Sequence, residues 1–253
     1  MSKRASERLI WLRPQPGERR GRLTREKISA TAVSLADAEG FDAVSMRRIA
    51  ARLGTSAMSL YYYVHTKADL VALMDDALMG EILLPEGKLP RGWREGISAI
   101  ARRTRDVFAR HPWALLLMRG APPGPNAMRH FEQSLEALEE APMSTEGKLA
   151  LLQVVDDFVF GHSLRTAEAA SWSSDSDLAR SADALMQQLF KTGAFPRTAA
   201  LFARASPRHS AQYPRWLTED RFESALAAVL DGAGRHLRQT ARNARRPKSR
   251  RNK

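Results

Sequence analysis

Leu53-Gly-Thr-Ser-Ala-Met-Ser-Leu-Tyr-Tyr-Tyr-Val-His-Thr-Lys67 places three of the chain's four tyrosines side by side. Thr55 or Ser56 suits the N-cap of a short helix that begins near Ala57. On a helical wheel with Leu60 at the origin, Val64 and Ala57 fall within about 60° of it and form a buried edge. Tyr61, Tyr62 and Tyr63 fall near about 100°, 200° and 300° and fan around the remaining surface. A two-turn helix cannot carry three consecutive aromatic side chains into one core. At least Tyr62 must face away, with Met58 and Ser59 beside it, and an exposed surface of that kind calls for a partner.

The residues upstream suggest which partner. Ser45 suits the N-cap of a second short helix with Ile49, Ala50 and Leu53 on one face, closed by Gly54. Two short helices joined through Leu53-Gly54-Thr55-Ser56 make a helix-turn-helix, whose second helix enters the DNA major groove. Tyrosine and serine hydroxyls and a helix N-terminus are donors for phosphate oxygens. The same spacing also suits a tight helical hairpin whose tyrosines pack against neighbours.

Working outward, the periodicity is helical nearly throughout, so the fold class is all-α. Ile28, Ala32, Leu35 and Ala36 share a face between a Thr24 cap and a Gly40 stop, and a further helix runs from Lys67 towards Pro85. The stretch Pro85-Glu-Gly-Lys-Leu-Pro90 reads as a turn or linker. Beyond it, helices are expected near 91–110, 113–119, 126–140, 145–172, 176–192 and 219–238.

The expected division is a flexible basic arm over 1–21, a three-helix helix-turn-helix domain with its following helix over 22–82, a helical domain over 91–238, and a disordered basic tail over 239–253. The net charge of +12 sits at the ends. Residues 1–25 carry eight Lys/Arg against Glu7 and Glu18, residues 235–253 carry nine and no acid, and the body between sums to −3. Basic ends favour a polyanion, nucleic acid before membrane. The absence of cysteine excludes disulfides and thiol chemistry. No apolar run approaches the ~18 residues that span a bilayer. A cytoplasmic protein without membrane attachment is the expectation.

Residues 23–74 resemble the DNA-binding domain of the tetracycline-repressor (TetR) family. The resemblance runs from Ala32–Leu35 through Glu39-Gly-Phe-Asp-Ala-Val-Ser-Met-Arg-Arg-Ile-Ala50 and Leu53-Gly-Thr-Ser56. It continues through Leu60-Tyr-Tyr-Tyr-Val64 to Lys67 and Leu70. It implies that Ser45 and Arg47 sit over the DNA backbone and groove, and that Ala57, Met58 and Ser59 face base edges. Tyr61, Tyr63 and Lys67 would contact phosphates, and the outward-facing Tyr62 belongs to the same surface. Where the tetracycline-responsive branch carries an amide side chain and a proline, this chain has Ala57 and Met58. These cannot make the bidentate hydrogen bonds that read adenine but can meet a thymine methyl.

Residues from about 91 to 238 are similar to the C-terminal domain of that branch. The residues that carry the similarity are His111-Pro-Trp113, Val154-Val-Asp-Asp-Phe-Val-Phe-Gly161, and Phe222, Leu226 and Leu230-Asp-Gly232. The resemblance implies a domain that binds a small molecule and dimerises. Residues 149–160 are apolar nearly all round the helix, which requires cover on more than one side. Phe222, Leu226, Val229 and Leu230 form a stripe on the last helix. Val155 and these four residues are therefore expected at a homodimeric four-helix interface, with two-fold symmetry matched by a palindromic operator on double-stranded DNA. The alternative is that both helices serve one monomer's core.

The expected effector pocket comprises Phe108, His111, Trp113, Met118, Phe131, Asp157, Phe158, His162 and Trp172, apolar walls with a few polar groups. Packing alone would account for many of them. Asp157 at the position where the branch holds a metal, and the lack of histidine in 67–80, speak against a metal-bound tetracycline. The effector is expected to be a largely apolar or aromatic small molecule held without a metal or cofactor. The adjacent pairs Asp75-Asp76 and Asp156-Asp157 diverge by about 100° on a helix and make no acid–base couple. The six histidines lack His-x-x-x-His spacing, and no phosphate-cradling loop or Gly-x-Ser-x-Gly is present. The reading is a ligand-responsive repressor rather than an enzyme. A ligand-independent regulator, or a small-molecule-binding module with a vestigial helix-turn-helix, remains the alternative.

Overall fold

The computed structural model describes residues 9–14, 23–116, 122–171, 177–204 and 220–244. These residues form α-helices and short 3-10 turns, with no strand among them. The head consists of α1 (Arg25–Glu39), α2 (Met46–Arg52) and α3 (Ala57–Tyr61). It is followed by α4 (Lys67–Ile82), α5 (Trp93–Arg110), α6 (Pro125–Ala137), α7 (Thr145–Ser171), α8 (Asp177–Lys191), α9 (Pro196–Arg204) and α10 (Asp220–Ala244). Three 3-10 turns lie at Ile10–Leu12, Phe41–Ala43 and Pro112–Leu116.

Each helix of the head starts where the sequence supplies an oxygen for an orphan backbone N–H. The Thr24 side chain accepts from the Lys27 N–H, Ser45 from Arg48 and Ser56 from Ser59. Thr66 and Asp69 form a reciprocal capping box at the start of α4. Between α2 and α3 the chain reverses at Gly54, whose φ of 63° is costly for any side-chain-bearing residue.

Two cores are built on these elements. In the first, Ile28, Leu35, Ile49, Leu60 and Val64 of the head pack with Leu70, Met74 and Leu78 of α4, with Phe108 near the end of α5 and with Leu115 just beyond it. The head and the start of the C-terminal domain therefore share one apolar interior. The second core joins α5, α7 and α10 through Ile97, Ile100, Leu151, Val155, Phe222, Leu226 and Leu230, with Leu138 after α6.

The structure departs from the sequence expectations in four places. The third helix ends at Tyr61, because Tyr62 is already its C-cap. Residues 112–116 form a 3-10 turn rather than the start of an α-helix. A nine-residue helix, α9, begins at Pro196, where the fixed φ of proline suits a first helical turn. Finally, α10 continues to Ala244, six residues beyond the expected start of the tail. Gln239–Ala244 contains no glycine or proline to stop it, and Pro247 follows shortly. The remainder of the tail, 245–253, lies outside the described residues, as do 1–8 and 15–21 of the expected N-terminal arm. Within that arm, residues 9–14 are not loose: Ile10 is 2% exposed and belongs to the first core.

Candidate nucleic-acid interface and effector domain

The tyrosine run divides as the helical wheel requires. Leu60 and Val64 are fully buried and Ala57 packs against the same core. Met58 is 78% exposed, Tyr62 67% and Tyr61 47%, an apolar and hydroxyl-bearing surface that none of the described residues covers. Ser59 is exposed beside them, its Oγ within 2.9 Å of Ser56 Oγ. Tyr63 is half-buried, and its ring meets that of Tyr62 edge-on at 5.7 Å. Tyr61, Tyr62 and Met58 thus share the open side, while Tyr63 is partly committed to packing.

On the preceding helix, Arg47 is exposed and Ser45, also exposed, uses its Oγ as the N-cap of α2. Glu39 pairs with both Arg48 and Arg52, so two of the head's cations are already held by a carboxylate. Hydrogen bonding from Arg48 keeps the Glu39 carboxyl below its ordinary range. Lys67 is exposed, with its Nζ 5.2 Å from the centroid of the Phe41 ring.

The expected effector residues within the described part of the structure lie in separate clusters. His111 is 6% exposed and lies at the junction of head and C-terminal domain. Its Nδ1 is 2.6 Å from Asp37 Oδ1 on α1, and its Nε2 is 3.3 Å from Glu81 Oε2 on α4. Trp113 donates its indole N–H to the same Asp37 oxygen at 2.7 Å and stacks on Phe41. Both residues are therefore interdomain fastenings rather than pocket walls. Sequence periodicity gave no hint of this, because Asp37 is 74 residues from His111.

Phe108 meets Phe160 edge-on in the first core. Phe158 and His162 cluster with Phe222, over which the Arg105 guanidinium sits at 4.6 Å. Burial, and then Arg165 and Arg105, lower the pKa of His162. Phe131 and Asp157 are exposed on the outside of α6 and α7, and Met118 and Trp172 lie outside the described residues.

The residues expected at a dimer interface have these places within the chain itself. Phe222, Leu226, Leu230 and Val155 are at most 5% exposed and fill the second core of their own chain, with Val229 packed against it. The stripe on α10 is long enough to satisfy α5 and α7 first. On α7, Leu149 and Val154 remain exposed, at 44% and 49%.

Three buried polar atoms on α4, α6 and α7 have no hydrogen-bond partner among the described residues: Asp75 Oδ1, His130 Nε2 and Ser163 Oγ. Sequence reasoning missed all three, since nothing in spacing marks a polar residue as buried and unmatched. Burial lowers the pKa of His130. Burial, aided by the charge of Asp76, pushes Asp75 up to about 6. An unfolded aspartate titrates near ~3.9, so between about pH 4 and 6 the folded state retains a proton that the unfolded state releases. Stability therefore falls as pH rises through that window. Asp75→Asn is expected to raise stability at pH 7.5 by about 1 kcal/mol, allowing for partial solvent screening. Thermal melts should show that advantage disappearing by pH 4.

The described residues contain no group of three or more His, Cys, Asp or Glu suited to a metal ion. None of their helices is long and apolar enough to cross a membrane.

Two family models match successive parts of the chain. Residues 28–74 match the model for bacterial regulatory proteins of the tetR family, and residues 85–237 match the tetracyclin repressor-like C-terminal domain. The HTH-type transcriptional repressor DrrR1 of Streptomyces coeruleorubidus is 32% identical over 202 residues, covering 76% of this chain and 74% of that protein. The class E tetracycline repressor protein of Escherichia coli is 26% identical, covering 72% of this chain and 85% of the repressor. The crystal structure of the Streptomyces coelicolor TetR family protein ActR in complex with actinorhodin superposes with a TM-score of 0.65. Its identity is 26%, with 83% of this chain and 95% of that chain covered. The chain belongs to the tetR family of bacterial regulatory proteins and is a DNA-binding transcriptional regulator, with a head that carries the helix-turn-helix and a C-terminal domain of the tetracyclin repressor type.

Proposed function

We propose that the protein is a homodimeric repressor that leaves a palindromic operator when its C-terminal domain binds a small, largely apolar or aromatic molecule. The observation that carries this reading is the exposed face of α3, where Met58, Tyr61 and Tyr62 stand clear of a core that Leu60 and Val64 close completely. Met58 and Ser59, with Ala57 at the helix start, read base edges. Arg47, Tyr61 and Lys67 meet phosphates, with Ser45, Tyr62 and Tyr63 lining the same surface.

Effector binding is supported by the relative whose structure holds actinorhodin. It is also supported by the unpartnered polar atoms of Asp75, His130 and Ser163, which a ligand's donors and acceptors would satisfy. The effector must favour the form that does not bind DNA, because equal affinity for both forms shifts nothing. Dimerisation uses the outer side of α7, where Leu149 and Val154 lie open. No step of this activity calls for catalysis, a metal or a membrane, and the cytoplasm is its place.

The test is a fluorescence-anisotropy titration on a duplex selected by the protein from random DNA, repeated at several salt concentrations. Tyr61→Phe and Lys67→Ala should weaken binding to every sequence, the lysine change lowering the salt slope by about one. Met58 or Ser59 substitutions should instead change sequence preference. A Lys67→Ala protein with unaltered affinity and slope would refute the phosphate assignment. A screen of apolar and aromatic compounds that releases no duplex would sink the inducer reading.

A further inference from the structure

We infer that residues 9–14 form a strap that positions the reading head on the C-terminal domain, with Trp11 as its anchor and Arg25 as its clasp. Arg25, on the first turn of α1, is 6% exposed. Its guanidinium donates to three carbonyls: Ile10 at 3.0 Å, Arg13 at 3.2 Å and Tyr63, just past α3, at 3.4 Å. One buried side chain therefore ties the N-terminal segment to the end of the reading helix. Arg13 fastens the same segment from its other end, pairing with Asp69 of the α4 capping box and lying 2.6 Å from His65 Nδ1.

The strap does not stop at the head. Trp11 packs against the first core and reaches the start of α6 in the C-terminal domain. A β-carbon at Gly124 would overlap the Asp76 carboxylate and lie 2.7 Å from Trp11 Cζ2, so only glycine admits this approach. Gly124 has extended backbone, φ −91°, so its requirement is space and not conformation. Asp76 closes the junction by accepting from the Asn126 N–H at 2.7 Å while Asn126 donates its side chain back to the Asp76 carbonyl at 3.0 Å. Head, α4 and α6 thus meet at one indole ring.

A strap of this kind fixes the angle between head and body before DNA arrives. Binding two half-sites at once demands that angle, and a head already held in it loses less freedom on binding. Trp11 acts through the head and touches no DNA, so it is a positioning residue. Its indole N–H is buried without a partner among the described residues, which makes its ring, not its polarity, the working part.

The test uses the full chain. In hydrogen exchange on the free protein, Trp11→Ala should raise exchange both at the first turn of α1 and at Asn126 and Ala127, while Trp11→Phe should stay close to wild type. On a duplex selected by the wild-type protein, Trp11→Ala should weaken binding roughly ten-fold with the salt slope unchanged, because every charge is retained. Binding to random DNA should move little. Exchange that rises only within residues 9–14 would overturn the strap. Equal losses on selected and random DNA, or a changed slope, would do the same. If no duplex is selected at all, the DNA-binding assignment fails separately and the exchange data still decide the strap.

Discussion

Leu226→Asp should leave the C-terminal domain unfolded, whereas Val154→Asp should leave a folded monomer. Leu226 is 1% exposed between Phe222 and Leu230 in the second core. An aspartate there loses the buried side chain and strands a carboxylate in an apolar interior, a cost of about 5 kcal/mol or more. A single domain has only ~5–15 kcal/mol to lose. Val154, in contrast, is 49% exposed on the free side of α7, and a charge there costs the monomer little. Circular dichroism melts and sedimentation separate the two cases: Leu226→Asp loses its transition, and Val154→Asp melts normally but sediments as a monomer. A Val154→Asp protein that stays dimeric would move the interface elsewhere.

Asp37→Ala should cost about 1–3 kcal/mol, because it leaves the buried His111 Nδ1 and the half-buried Trp113 indole N–H without their shared partner. The Asp37 carboxylate is 2.6 Å from His111 Nδ1 and takes the Trp113 indole N–H at 2.7 Å. Its loss also frees the Pro112–Leu116 turn from α1, so the damage should concentrate at the junction of head and body. Guanidinium unfolding should show a lower midpoint, and operator affinity should fall while the salt slope holds. Asp37→Asn retains an oxygen for one donor and should recover roughly half of the loss. If Asp37→Ala melted like the wild type, the junction hydrogen bonds would have no energetic weight.

The sequence made the head legible because its helices are short, capped and periodic. Thr24, Ser45 and Ser56 cap the helices where their side-chain oxygens suggested, and Leu60 and Val64 are buried where a 100° step places them. The body was legible as helices but not as a site. Phe108, His111, Phe158 and His162 all read as inward-facing, which they are, yet they face three different neighbours. Periodicity reports which side of a helix is apolar and is silent on which element covers it. The same limit applies to Phe222, Leu226 and Leu230, whose stripe suits a partner chain and its own core equally well. The N-terminal segment escaped for a different reason: its charge suggested a solvated arm, and the contacts of Ile10 and Trp11 depend on residues far along the chain.

The pairing of Glu39 with Arg48 and Arg52 bears on how quickly such a protein finds its target. A regulator must sample a vast excess of irrelevant DNA, and the time lost at each stop grows with every phosphate contact it makes there. Two arginines already occupied by a carboxylate grip a random phosphate weakly, so each stop is short and the search proceeds. Glu39→Gln frees both cations without altering the reading helix. Single-molecule tracking on non-cognate DNA should then show longer dwell times and a slower arrival at the operator, a regulator made stickier and therefore slower.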